Sequence, residues 1–214
     1  MSKNQNRSFS LLELVISLVL VTMIVLGVTS IQTFSRNHVI TSDRRARLQN
    51  QLYYLLEHTS KNLSRAIGNE VIGGANSVID INDSTGVPGE TYRIKAYIDD
   101  GNGRRNASTP AEDYWIAYRY IGSGSGSNRY QVQYCGKCAS KLCDICSFAG
   151  GWETIADNII SFIPNKPVNP LGILKDNFVA IDIKGRHDAT KAIDINNPEI
   201  SMSNRIRLPS VSLN

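Results

Sequence analysis

The sequence predicts an α+β fold: a long N-terminal helix, transmembrane in its first half, packed on a globular domain built around an antiparallel β-sheet. Three observations predict it. From Leu14 to Ser35 no residue is charged and most are apolar. Leu48, Leu52, Leu55, Thr59, Leu63 and Ala66 then recur at three- and four-residue steps, the period of one helix face. From Val71 onward, short β-branched and aromatic runs alternate with Gly, Asn, Asp and Pro, the grammar of strands and turns. The 214 residues, 42% hydrophobic and 20% charged, suffice for one folded domain plus an accessory segment. A formal net charge of +4, from 23 basic and 19 acidic residues without a basic stripe, argues against direct nucleic-acid binding.

Residues 1–8 form a short polar leader whose only charges are Lys3 and Arg7. Residues 9–35 are the candidate membrane-spanning helix, because at 1.5 Å rise per residue such a run crosses a hydrocarbon core of about 30 Å. With Lys3 and Arg7 on the short side, the positive-inside bias leaves the N-terminus in the cytoplasm and the rest of the chain outside. A secretory signal peptide also starts basic and turns apolar. Its apolar region is shorter, however, and no Ala-x-Ala site closes this one. Glu13 stands at the mouth of the apolar block, where a carboxylate costs about 2.5–3.5 kcal/mol on insertion scales and so marks a partner or a function.

Residues 36–67 continue the helix outside the membrane, with Gly68 as its stop. Asp43, Arg44, Arg45 and Arg47 lie on that stretch as a solvated face. Residues 68–214 are the β-rich domain, with expected strands at 77–81, 91–98, 114–121, 129–134, 159–163, 178–184 and 206–211. The clearest hairpin joins 114–121 to 129–134 through the Gly/Ser-rich residues 122–128, an exposed loop. Gly101 and Gly103 mark another turn, and Pro164, Pro167 and Pro170 interrupt the approach to the last strands.

The stretch Arg7-Ser8-Phe9-Ser10-Leu11-Leu12-Glu13-Leu14 resembles the prepilin-type motif of type IV pilins and type II secretion pseudopilins. The likeness covers about the first thirty residues. It implies cleavage between Ser8 and Phe9 by a prepilin peptidase on the cytoplasmic face, N-methylation of Phe9, and a mature protein whose fifth residue is Glu13. It further implies that Glu13 pairs with the freed amine of Phe9 on a neighbouring subunit, so that a costly buried charge is neutralised only on assembly. Two departures stand out: Ser8 replaces the usual Gly, and Ser30 stands where many major pilins carry a Pro. The large strand-rich domain and the tail Ser203-Asn204-Arg205-Ile206-Arg207-Leu208 look more like minor pilins of the PilW type, or J-type minor pseudopilins, than like a major subunit.

All four cysteines fall in residues 135–146, as Cys135, Cys138, Cys143 and Cys146, with C-x2-C-x4-C-x2-C spacing. Two readings stay open. Paired C-x2-C units suit a tetrathiolate zinc site, although the usual separation between the pairs is longer. On the outer side of the membrane disulfides form and persist, and a nested pairing of Cys135 with Cys146 and Cys138 with Cys143 would close a loop; four cysteines permit three connectivities. Redox catalysis lacks the βαβ setting that a thioredoxin-like site needs.

His38 and His58 fall on the expected helix and His187 in a Gly-Arg-His-Asp turn, without catalytic company. No nucleophile elbow, phosphate loop or zinc-protease motif is present, so the chain reads as a non-enzyme with no cofactor beyond the zinc alternative. Residues 80–83 and 99–103 are rich in Asp, Asn and Gly without EF-hand spacing and read as turns. The resemblance implies a structural minor pilin or pseudopilin: single-pass in the bacterial inner membrane with its domain outside, then part of a filament. Its partners would be other subunits, the peptidase and the inner-membrane assembly platform, with nucleic acid involved only indirectly in a DNA-uptake pilus. The competing reading is a singly anchored extracytoplasmic binding or sensor domain with a zinc- or disulfide-stapled loop.

Overall fold

The computed structural model describes residues 10–66, 79–82, 90–98, 114–122, 129–138, 146, 151–165 and 178–208. The chain divides into two units, Met1–Asp43 and Arg44–Asn214. One helix, α1 (Leu11–Leu63), contributes to both. As expected, a long N-terminal helix joins antiparallel sheets in an α+β architecture.

In the first unit, α1 is long and apolar enough to cross a membrane, and its apolar side chains, Leu11 to Val39, are exposed. Four hydroxyls of its apolar block are satisfied within the helix. Ser17 Oγ donates to the Leu14 carbonyl at 2.9 Å, Thr22 Oγ1 to that of Val19 at 2.8 Å, and Thr29 Oγ1 to that of Leu26 at 3.0 Å. Ser30 Oγ also donates to the Leu26 carbonyl, at 2.8 Å, and the helix runs on unbroken where a proline would remove a backbone donor. Hydroxyls bonded in this way cost little in hydrocarbon, where an unpaired polar group costs several kcal/mol.

In the second unit the helix acquires a buried stripe of Leu48, Leu52, Leu55, Leu56, Thr59 and Leu63. Two antiparallel meanders share one core with it. The first contains, in spatial order, β1 (Ile79–Asn82), β2 (Glu90–Ile98), β3 (Tyr114–Ile121), β4 (Gln131–Cys135) and β5 (Glu153–Ala156). The second contains β6 (Ile159–Asn165), β7 (Phe178–Arg186) and β8 (Glu199–Arg207). Ile94, Ile116, Tyr118 and Val132 from the first sheet meet Phe162, Val179, Ile181 and Ile183 from the second in a continuous cluster with the helix leucines. The sheets are joined where Ile159 N donates to the Tyr130 carbonyl at 2.9 Å and Tyr120 Oη donates to the Ile160 carbonyl at 2.7 Å. Tyr120 is deeply buried there, which pushes its phenol up to about 12.

The helix and β8 run side by side in the same direction, as three contacts show. Arg44 Nη1 donates to the Asn196 carbonyl just before β8. Leu48 and Leu52 lie over Gly185, which pairs with Ile200 near the start of β8. Asn204 Nδ2 bonds Ser60 Oγ at 2.7 Å near its end. Gly185 sets the closeness of this packing: a Cβ there would sit 2.9 Å from Leu52 Cδ2 and 3.0 Å from Leu48 Cδ1.

Several expectations need correction. The helix ends at Leu63 instead of continuing to 67, and Ala66 instead bridges to Ile98. A strand at Glu199–Arg207 begins well before the expected 206–211, of which 209–211 lie outside the described residues; Ile200, Met202 and Ile206 alternate with serines and arginines on a half-exposed strand whose polarity disguises it. Strand β5 escaped the sequence reading, being four residues long with an exposed Glu153 and Thr154. Pro164 does not interrupt the sheet: it lies in β6, which among the described residues pairs with β7 alone, and an edge strand tolerates a residue without an N–H. Gly185 and Arg186 belong to β7, so the turn begins only at His187. Asp80 and Asn82 lie in β1, whereas Asp83, residues 99–103, Gly68, Pro167, Pro170 and the loop 123–128 fall outside the described residues.

Gly185→Ala should lower the stability of the β domain by about 1–3 kcal/mol, the usual cost of forcing one carbon into a packed core. Thermal unfolding of the full chain in detergent, followed by far-UV circular dichroism, measures it as a lower midpoint.

Candidate functional site

Of the N-terminal residues singled out by sequence, Ser8 and Phe9 lie outside the described residues, and Glu13 falls in the first turn of α1. The Ser10 carbonyl accepts from Glu13 N at 2.9 Å and Leu14 N at 3.2 Å, so the helix begins immediately after Ser10. Ser10-x-x-Glu13 therefore has capping-box spacing, and a carboxylate in the first turn also suits the positive end of the helix dipole. Glu13 shares a face with Leu12, Ile16, Ser17 and Leu20. Among the described residues no cation forms an ion pair with it. A local role in starting the helix and a role in pairing with another subunit are compatible, and they differ in chemistry. Capping needs only a side chain that can bond the backbone, whereas charge pairing needs the negative charge.

Of the four cysteines, Cys135, Cys138 and Cys146 are described, and they pack against Trp115 and Ala117 of the first sheet. Cys135, at the end of β4, is joined to Cys146 by a disulfide, the outer pair of the nested arrangement. Cys138 is also disulfide-bonded, and Cys143 lies outside the described residues. In this state the sulfurs of Cys135 and Cys146 are not thiolates, the form in which cysteine holds zinc. Among the described residues no group of His, Cys, Asp and Glu is arranged to hold a metal.

Closing a loop of this length stabilises a fold by about 3 kcal/mol through the unfolded chain. Its described cysteines also pack against an aromatic layer. Cys138 N donates to the Trp115 carbonyl at 2.8 Å, and Tyr97 and Trp115 pack edge to face with centroids 5.3 Å apart. These residues, with Ala117, Cys135 and Cys138, form a second buried cluster. Beside it, the Arg119 guanidinium lies 4.1 Å from the Trp152 ring centroid and donates to buried Gln133 Oε1 from Nε at 2.9 Å and Nη2 at 2.7 Å. The central strands are thus covered on both faces, which explains the nearly unbroken burial of β3.

The three histidines have unlike settings. His38 lies beside Phe34 of the same helix, the rings tilted and 6.3 Å apart on an exposed stretch, and His187 borders a polar pocket with Arg44, Asp188 and Lys191. His58 is the one that the fold integrates. Its Nδ1 lies 2.9 Å from Tyr118 Oη, which accepts from Asn62 Nδ2 at 2.8 Å, and its ring packs edge to face against Tyr118 and Tyr134. Tyr54, His58 and Asn62 follow one another at four-residue steps, so this contact between helix and sheet had a sequence signal, but only a partner on β3 gives it meaning.

Burial lowers the His58 pKa below its usual 6.5; Glu153 opposes the shift and Lys61 adds to it. Burial likewise raises the phenols of Tyr118 and Tyr134. No protein-family model matches this chain, and no curated protein matches it by sequence.

Because the folded state holds His58 neutral, the unfolded chain binds more protons below pH 6.5. The stability from this site is therefore present above about pH 6.5 and lost as pH falls through the lowered native value. Unfolding midpoints of the wild type and His58→Phe between pH 7.5 and 4.5 should diverge less at the acid end, since only the wild type loses this contribution.

Proposed function

We propose that the chain is a structural filament subunit, a minor pilin or pseudopilin of a type IV pilus or type II secretion system. It is inserted in the bacterial inner membrane with its domain outside, processed between Ser8 and Phe9, and assembled through α1. One observation carries the reading: the apolar half of α1, with Glu13 in its first turn, is exposed along its length, and the same helix becomes a core element of the β domain. A helix built in this way must find lipid or other helices to cover its first half, and a filament subunit exchanges one for the other. Glu13 supports the same reading, because charge pairing with the freed amine of Phe9 would make extraction from lipid depend on meeting the neighbouring subunit. The disulfide suits a domain outside the cytoplasm.

Mass spectrometry after co-expression with a prepilin peptidase should find a chain beginning at a methylated Phe9; an intact N-terminus would favour the singly anchored binding or sensor domain instead. Glu13→Gln keeps capping capacity and removes the charge. It should leave cleavage unaffected and reduce incorporation into filaments at least tenfold in a shearing assay, whereas unchanged incorporation would end the charge-pairing role.

A further inference from the structure

Strand β8 has a free edge without the devices that commonly protect one. Among the described residues, the edge strands of the two sheets are β1, β5, β6 and β8. Short length, a proline or an irregular register keeps an edge from pairing with another chain. Strands β1 and β5 are four residues long, and β6 carries Pro164 and a register shift between Ile159 and Ser161. Strand β8 differs on every count. It is nine residues long, contains no proline, and pairs with β7 in unbroken register from Glu199 to Arg207. Its other side pairs with no described strand.

The two faces of β8 define the segment that suits this edge. Ile200, Met202 and Ile206 face the core. Ile200 and Met202 nevertheless stay partly exposed, whereas Ile183, opposite Met202 on β7, is buried. The apolar layer is thus incomplete along the edge, and apolar side chains at alternate positions of an added strand would extend it. On the other face Ser201, Ser203, Arg205 and Arg207 are exposed. Arg205 lies opposite Ala180 and Arg207 opposite Phe178, and neither arginine forms an ion pair with a described residue. The opposite end of the strand is matched in charge, since the Glu199 carboxylate meets Arg186 Nη2 at 2.6 Å and Lys184 Nζ at 3.5 Å. The uncompensated charge on the edge is therefore positive and sits at the C-terminal end of β8.

We propose that the free edge of β8 is a docking site for an extended acidic segment of a partner protein, which adds to the second sheet as a fourth strand. Main-chain hydrogen bonds to β8 supply affinity, and carboxylates placed across from Arg205 and Arg207 supply selectivity. The proposal does not depend on what covers the apolar half of α1.

The test uses the full chain in detergent and a fluorescein-labelled peptide of alternating valine and glutamate, long enough to span β8, with binding read by fluorescence polarisation. The wild type should bind this peptide, and binding should slow amide hydrogen exchange at residues 199–207. The double variant Arg205→Glu, Arg207→Glu should bind it at least tenfold more weakly and should gain binding of the valine–lysine counterpart, a gain that only a folded edge can show. Failure of the wild type to bind, equal binding by the double variant, or binding without slower exchange in β8 would overturn the proposal. Binding that appears only after deletion of residues 209–214 would overturn it as well, and would assign the edge to those residues of the chain itself.

Discussion

From Leu11 to Val39 the helix covers none of its large apolar side chains, and from Leu48 onward it buries a leucine at nearly every turn. The rest of the structure depends on how the second stretch is held. The Leu48, Leu52 and Leu55 stripe reaches the middle strand of the second sheet where Gly185 leaves room for it, and the register between helix and β8 follows from that contact. An alanine's worth of volume is all that separates this seat from a clash. The first stretch has no such seat, and its hydroxyls turn back onto its own carbonyls, so the surroundings it suits are apolar ones that compete for no hydrogen bonds.

Much of this division was legible in the sequence. The uncharged block and the leucine repeat have periods and lengths that only a helix satisfies, and β3 was legible to the residue because Tyr114-Trp115-Ile116-Ala117-Tyr118-Arg119-Tyr120-Ile121 is bounded by turn residues. What escaped was structure whose cause lies elsewhere in the chain. Strand β8 alternates weak apolar residues with serine, and only β7 beside it makes a strand of it. Gly185 looked like the start of a turn because its function is to be absent beneath two leucines from a segment more than a hundred residues away.

The candidate sites divide along the same line. Glu13 was conspicuous because its charge is out of place in an apolar block, a property of local sequence. The cysteines were conspicuous by their clustering, but the clustering alone left zinc and disulfide open. The disulfide between Cys135 and Cys146 settles that choice for two of the four, and Cys135 and Cys138 pack with Tyr97, Trp115 and Ala117 of the first sheet. His58 shares a helix face with Tyr54 and Asn62, a signal too local to reveal its role, which depends on Tyr118 and Tyr134 reaching it from two strands.

The central claim is that one helix is stabilised by two different surroundings, lipid over its first half and the β domain over its second. Hydrogen exchange on the full chain in lipid nanodiscs, with increasing urea, tests this directly. The account predicts slow exchange at residues 14–35 that persists after urea has unfolded the domain and released the amides of residues 48–63. Rapid exchange at 14–35 in lipid, or loss of protection there together with 48–63, would contradict it.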